Sequence, residues 1–170
     1  ALQTLDVFTF ENPQAHNARE TLAKLLIQQG EPERALQAAE MGLAVAPGHN
    51  AFRKIKARIL LDSGLANEAV ILLSQNAPPV PTDTEYHDVL ATAYLANGQY
   101  DLAVLVYRAL LQGGSTEGRW WYGLAAALDA QGYVQDAAQA YERALQQTSL
   151  GTSLRQTSQQ RLQLIRQRSQ

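Results

Sequence analysis

Glycine returns at a fixed interval in this chain: Gly30, Gly64, Gly98 and Gly132 lie 34 residues apart. Two alanine series keep the same interval. One is Ala23, Ala57, Ala91 and Ala125; the other is Ala35, Ala69, Ala103 and Ala137. Three series in one register constrain the chain more than any local motif does. They require a stack of like units, each burying a face against its neighbours, in place of one core built from unlike elements.

Each unit reads as two helices. In TEYHDVLATAYLANG, Tyr86, Leu90, Ala93 and Tyr94 fall at i, i+4, i+7 and i+8, one stripe of a helix. Asn97-Gly98 ends it, because glycine accepts the left-handed conformation at a helix C-terminus. QYDLAVLVYRALLQ then supplies the second helix. In the first unit Pro32 suits the opening turn of its second helix, where a missing N–H costs nothing. With units counted from His16, position 8 should face position 20 across the hairpin. Alanine at both lets two antiparallel helices approach closely.

A 34-residue helix-turn-helix with small residues at 8 and 20, glycine at 15 and often proline at 32 resembles the tetratricopeptide repeat, TPR. The resemblance implies an all-α fold, a right-handed α-solenoid of helical hairpins forming a single domain over 1–170. Full units cover 16–49, 50–83, 84–117 and 118–151. The pattern also runs backward: Ala1 lies 34 residues before Ala35, and Pro13 lies 34 before Pro47. Residues 1–15 are therefore expected to hold the second helix of a truncated unit. Leu154, Leu162 and Ile165 among Gln, Arg and Ser predict an amphipathic capping helix over 152–170, whose polar exterior closes the stack. Position 32 departs from the family as Ser115 and Ser149. Pro78, Pro79 and Pro81 cannot continue a helix, so the second helix of unit two should stop early, near Asn76. GGSTEG, residues 113–118, is another break.

GRWWYGLAAAL places two tryptophans at adjacent positions, which point about 100° apart on a helix. Trp120 shares its column with Ala18, Phe52 and Tyr86 and is expected in the core. Trp121 shares a column with Arg19, Arg53 and His87; it either packs between helices or serves as an aromatic anchor beside a binding groove. In the family, positions 2, 5, 9, 12 and 13 of the first helices line a concave groove that binds peptides or partner helices. Matched residue by residue, the resemblance places there Lys24 and Ile27 in unit one, and Lys54, Arg58 and Leu61 in unit two. Asp88 and Leu95 follow in unit three, Arg119 and Tyr122 in unit four. Lys54 and Arg58 are four apart and share a face. With Lys24 they form either a patch for carboxylates or an ordinary solvated face. Ile27, Leu61, Leu95 and Tyr122 add an apolar strip of the kind that marks interfaces. The lysine and asparagine set of TPR carboxylate clamps is incomplete, so no clamp is inferred.

Several classes are excluded or disfavoured. There are no cysteines, hence no disulfide or thiolate chemistry. A net charge of −2 gives no electrostatic footprint for nucleic acid. GxxxxGK[ST], HExxH and GxSxG are absent, so the chain is read as a non-enzyme with no cofactor and no metal. His16, His49 and His87 are read as separate, with His49 solvated in an inter-unit turn. No run of eighteen apolar residues could span a membrane. The chain starts at Ala1 and is expected to be part of a longer polypeptide, which could carry a membrane anchor.

A narrower resemblance covers the whole chain. GRWWYGLAAALDAQG and LGTSLRQTSQQRLQLI, with NPQAHNARETLAKLL near the start, are similar to the MshN family of MSHA-type (type IV) pilus biogenesis proteins. That resemblance implies the periplasmic TPR domain of an inner-membrane-anchored protein, a scaffold whose partners are pilus-assembly proteins. The alternative is a cytosolic TPR adaptor or co-chaperone that binds an acidic peptide tail. Homodimerisation is a further expectation, through an apolar N-terminal edge of Leu2, Leu5, Phe8 and Phe10.

Overall fold

The computed structural model describes residues 2–168; among these the chain is entirely helical and turn, with no strand. Ala1 and the last two residues of the expected capping helix lie outside the described residues. The chain divides after Ala77 into two compact units. The first holds α1 (Leu2–Glu11), α2 (His16–Gln28), α3 (Pro32–Val45), α4 (Asn50–Asp62) and α5 (Ala66–Ser74). The second holds a 3-10 turn at Val80–Thr82, then α6 (Thr84–Ala96), α7 (Tyr100–Leu111), α8 (Gly118–Ala130), α9 (Val134–Gln146) and α10 (Thr152–Arg168). Consecutive helices pack on one another within each unit. The fold class is the all-α TPR architecture that the period demands.

The period has a direct physical meaning at the crossings. All eight alanines of positions 8 and 20 are fully buried, at 0 % exposure. The four glycines of position 15 have φ of +75°, +76°, +73° and +82°, the left-handed turn that lets each second helix fold back. Pro32 opens α3 as its first residue. Helix α5 stops at Ser74 after 9 residues, against 14 in α3 and 12 in α7. Asn76 then takes a left-handed φ of 53°, and the prolines follow. The core of unit 1 gathers Leu22, Leu26, Phe52, Ile55 and Ile59. That of unit 2 gathers Tyr107, Trp120, Leu124, Leu128, Tyr141 and Leu162.

The column at position 4 has a role that its composition did not disclose. Arg19 is buried and donates to the carbonyls of Pro13 at 2.6 Å and Thr9 at 2.5 Å, at the end of α1. Arg53 reaches the carbonyls of Leu72 at 2.7 Å and Gln75 at 2.5 Å, at the end of α5. Arg155, one period beyond Trp121, donates to Leu145 and Gln147 at 2.8 Å each, at the end of α9. The last carbonyls of a helix lack intrahelical donors and carry its negative dipole end, so a cation there is stabilising. His87, in the same column, meets a loop carbonyl instead of a helix end. Its Nε2 lies 2.6 Å from the Pro78 carbonyl, which can only accept, so Nε2 carries the proton. Trp121 is the exception in the column; it is half-buried and packs against the unit 2 core. Trp120, 7 % exposed, belongs to that core.

Candidate functional site

The first helices of unit 1 carry the five groove residues expected there. Lys24 on α2 is exposed, but its Nζ lies 2.5 Å from Glu20 Oε1 one turn earlier, so its charge is matched within its own helix. Ile27 is 41 % exposed. On α4, Arg58 is exposed, while Lys54 and Leu61 are half-buried.

Unit 2 carries ion pairs that join successive first helices. Asp88 on α6 is one-tenth exposed, and its Oδ2 accepts from Arg119 on α8 at 2.9 Å. Asp129 on α8 is equally enclosed, and its Oδ2 accepts from Nη2 and Nε of Arg161 on α10 at 2.7 and 2.8 Å. Each pair thus ties one first helix to the next, carboxylate inside and guanidinium outside; Arg119 keeps 49 % of its side-chain surface and Arg161 39 %. Asp129 holds the Arg161 guanidinium above its ordinary pKa by hydrogen bond and charge. Tyr122, half-buried, meets Tyr141 edge to face with ring centroids 6.0 Å apart. The Tyr141 hydroxyl lies 3.4 Å from Asp129; burial first, and then that carboxylate, push its pKa up. Thr92 bonds back to the Asp88 carbonyl at 2.9 Å and lies 3.3 Å from the Tyr107 hydroxyl. Burial pushes Tyr107 up to about 12, with the Thr92 hydrogen bond acting in the opposite sense. Leu95 is half-buried on the same helix as Asp88.

This arrangement presents fixed N–H donors beside an aromatic and aliphatic surface. It suits carbonyl and carboxylate acceptors of an extended or helical peptide. Of the expected groove residues, the structure joins Asp88 to Arg119 directly. Asp129 stands at position 12 of the fourth repeat, one of the family's groove positions, whereas Arg161 was not singled out from sequence. Asp129 did carry a signal, since it stands in the column of Ile27, Leu61 and Leu95, and a carboxylate in an apolar column calls for a partner. Arg161, among the polar residues of the cap, carried none.

The histidines need a correction. His16 and His49 are not separate: their rings lie 5.4 Å apart, and His49 stacks on Phe52 at 4.4 Å. His49 is half-buried and packed on that ring, because the turn after Pro47 brings the start of α4 beside the start of α2. Among the described residues, no three His, Cys, Asp or Glu side chains converge as a metal site would require. No helix there is long and apolar enough to cross a membrane.

Residues 20–149 match the model of the tetratricopeptide repeat family. The chain is a TPR protein. Solved structures resemble it along nearly the whole length. One is MamA (residues 41 to the end) from Desulfovibrio magneticus, at 17 % identity and TM-score 0.68, covering 92 % of this chain and 97 % of that one. A thermophilic TPR protein of Thermus thermophilus, TTC0263, gives 20 % identity and TM-score 0.69, with 95 % and 89 % covered. YrrB, described as a TPR protein with an unusual peptide-binding site, gives 14 % and 0.72, with 97 % and 90 % covered. At these identities the likeness concerns the fold. No curated relative matches the sequence.

Proposed function

We propose that this TPR chain is a non-catalytic scaffold that binds a protein partner along the first helices, and that it serves assembly of an MSHA-type type IV pilus from the periplasmic side of the inner membrane. The observation that carries the binding role is the pair of interhelical Asp–Arg rungs in unit 2, Asp88–Arg119 and Asp129–Arg161, with Tyr122 on the helix that joins them. Donors fixed before binding lose little side-chain entropy when a partner arrives. The pilus role and the periplasmic location rest on the resemblance of GRWWYGLAAALDAQG and the tail to the MshN family. The experiment is a capture from an envelope extract of the source bacterium, with bound proteins identified by mass spectrometry. It compares the wild type with an Arg119→Ala, Tyr122→Ala variant of unchanged helicity. Pilus-assembly proteins held by the wild type and lost by the variant support both parts of the reading. Equal capture by both removes the groove. Capture of cytosolic proteins alone removes the pilus.

A further inference from the structure

We infer that the cleft between α3 and α5, floored by α4, receives a helical segment of a protein partner that carries a large aliphatic side chain one turn from an arginine or lysine. This goes beyond the groove reading and does not depend on it, since the cleft lies wholly within the first compact unit.

The repeat builds the same cleft more than once. Positions 4, 7, 11, 19, 22, 23, 26 and 28 line it between α1 and α3, and again between α3 and α5. Positions 25 and 19 stand on opposite sides of its mouth. In the first cleft they are Asp6 and Arg34, whose side chains meet at 2.9 Å and span it from α1 to α3. Between α7 and α9 they are Arg108 and Asp136, again of opposite sign, and both line one cleft. Between α3 and α5 they are Glu40 and Glu68. Two carboxylates offer acceptors only, so no bridge spans this mouth. The cleft stays open at about 460 Å³, against about 250 Å³ under the Asp6–Arg34 pair.

The walls set what fits. Leu43, Pro47, Ile71 and Leu72 line the cleft over a floor that includes buried Leu60. Ile71 keeps 51 % exposure at position 22, where the first cleft has Gln37. An apolar anchor would release this surface from water. The charges select what stands beside the anchor. Arg53 holds its guanidinium on the carbonyls of Leu72 and Gln75. Lys56, where the first cleft has buried Leu22, meets Glu40 at 2.6 Å. Glu68 is exposed, and its side chain has no hydrogen bond or ion pair among the described residues. A free carboxylate at the edge of an apolar cleft favours a cation on the incoming segment, in the place that Arg34 takes over the first cleft. Glu68 and Ile71 are three apart on α5 and share a face. A helix with its aliphatic anchor and its cation at the same kind of spacing reaches both at once.

The test uses the 170-residue chain with isotope-labelled isoleucine and leucine methyls. It is titrated with a capped, alanine-rich helical peptide that carries leucine and, one turn later, arginine. The Ile71, Leu60 and Leu72 methyl signals are expected to shift with a dissociation constant of about 1 mM or tighter. A peptide with alanine for leucine should bind at least about tenfold more weakly. One with glutamate for arginine should bind at least about threefold more weakly. Glu68→Arg gives Glu40 the partner that Asp6 has, and Ile71→Gln copies Gln37. Each should weaken binding at least about tenfold, the second read at Leu60 and Leu72. Both replace exposed side chains, so the fold should persist, and circular dichroism checks it. Arg119→Ala with Tyr122→Ala should leave the Ile71 response unchanged, which separates this result from failure of the groove. Methyls that stay still at about 5 mM peptide overturn the proposal. So does equal binding of the glutamate peptide, because the cleft would then be apolar and nothing more. Self-association of the chain that Glu68→Arg abolishes, read by sedimentation equilibrium, also overturns it, since a second copy would then be the occupant.

Discussion

A single methyl group at Gly123 tests how tightly the repeats are packed. A Cβ there would run into the Tyr107 ring, which is buried and has nowhere to swing. Alanine favours a helix over glycine by about 1 kcal/mol, yet overpacking costs about 1–3 kcal/mol, so Gly123→Ala is expected to destabilise on balance. Thermal denaturation of the variant checks this, and a stabilised variant would mean that α7 and α8 can part. Tyr107 itself gives a pH signature. Burial raises it to about 12 in the folded chain, from an ordinary value near 10. The unfolded chain gives up this proton first, so the stabilisation is complete below pH 10 and is lost as pH climbs toward 12. Tyr107→Phe should flatten part of that alkaline decline in urea titrations between pH 8 and 11.5. Tyr141, raised in the same direction, keeps the remainder. At this scale the sequence was legible where packing alone decides. Small residues at positions 8 and 20 admit no other reading. Gly123 was not legible, because its need for space comes from a tyrosine on another helix.

Between residue and chain, the helix ends matter most. The arginines of position 4 act on helices other than their own, which is why the column was visible at 34-residue spacing while its chemistry was not. A sequence shows that Arg19, Arg53 and Arg155 share a register, but not that their guanidiniums lie over carbonyls of α1, α5 and α9. The early stop of α5, by contrast, could be read directly, since three prolines forbid anything else. Arg19 is 2 % exposed, so Arg19→Ala leaves two carbonyls without a donor in a dry place and should cost roughly 2–3 kcal/mol. Arg155→Ala, at a half-buried site, should cost less, about 1–2 kcal/mol. Lysine at position 19 should recover little, because one ammonium cannot fork to both carbonyls. Hydrogen exchange locates the damage: protection should fall first in the last turn of α1 for Arg19→Ala, and in that of α9 for Arg155→Ala. Uniform loss would mean that the arginines fill space and do not cap.

For the whole molecule, the period runs through residue 77 without a break, and only the prolines after Asn76 hint that the chain divides there. The second unit has what an independent fold needs. Its core runs from Ala91 to Ile165 and draws on α6 to α10. Its outer helix turns a polar face to solvent, as terminal helices of a repeat stack must. Both Asp–Arg rungs, Tyr122, and the Thr92–Tyr107 contact lie inside it. Residues 78–170 alone are therefore expected to fold cooperatively and to keep the alkaline limb that Tyr107 supplies. They should also retain whatever partner the full chain loses through Arg119→Ala with Tyr122→Ala. Circular dichroism, urea titration at two pH values and the envelope capture repeated with 78–170 decide it. If 78–170 folds but captures nothing, Ile27, Leu61 and their neighbours in unit 1 are needed for recognition. If it does not fold, the Asp–Arg rungs cannot be a self-sufficient site, and the repeats depend on the first 77 residues for more than the groove.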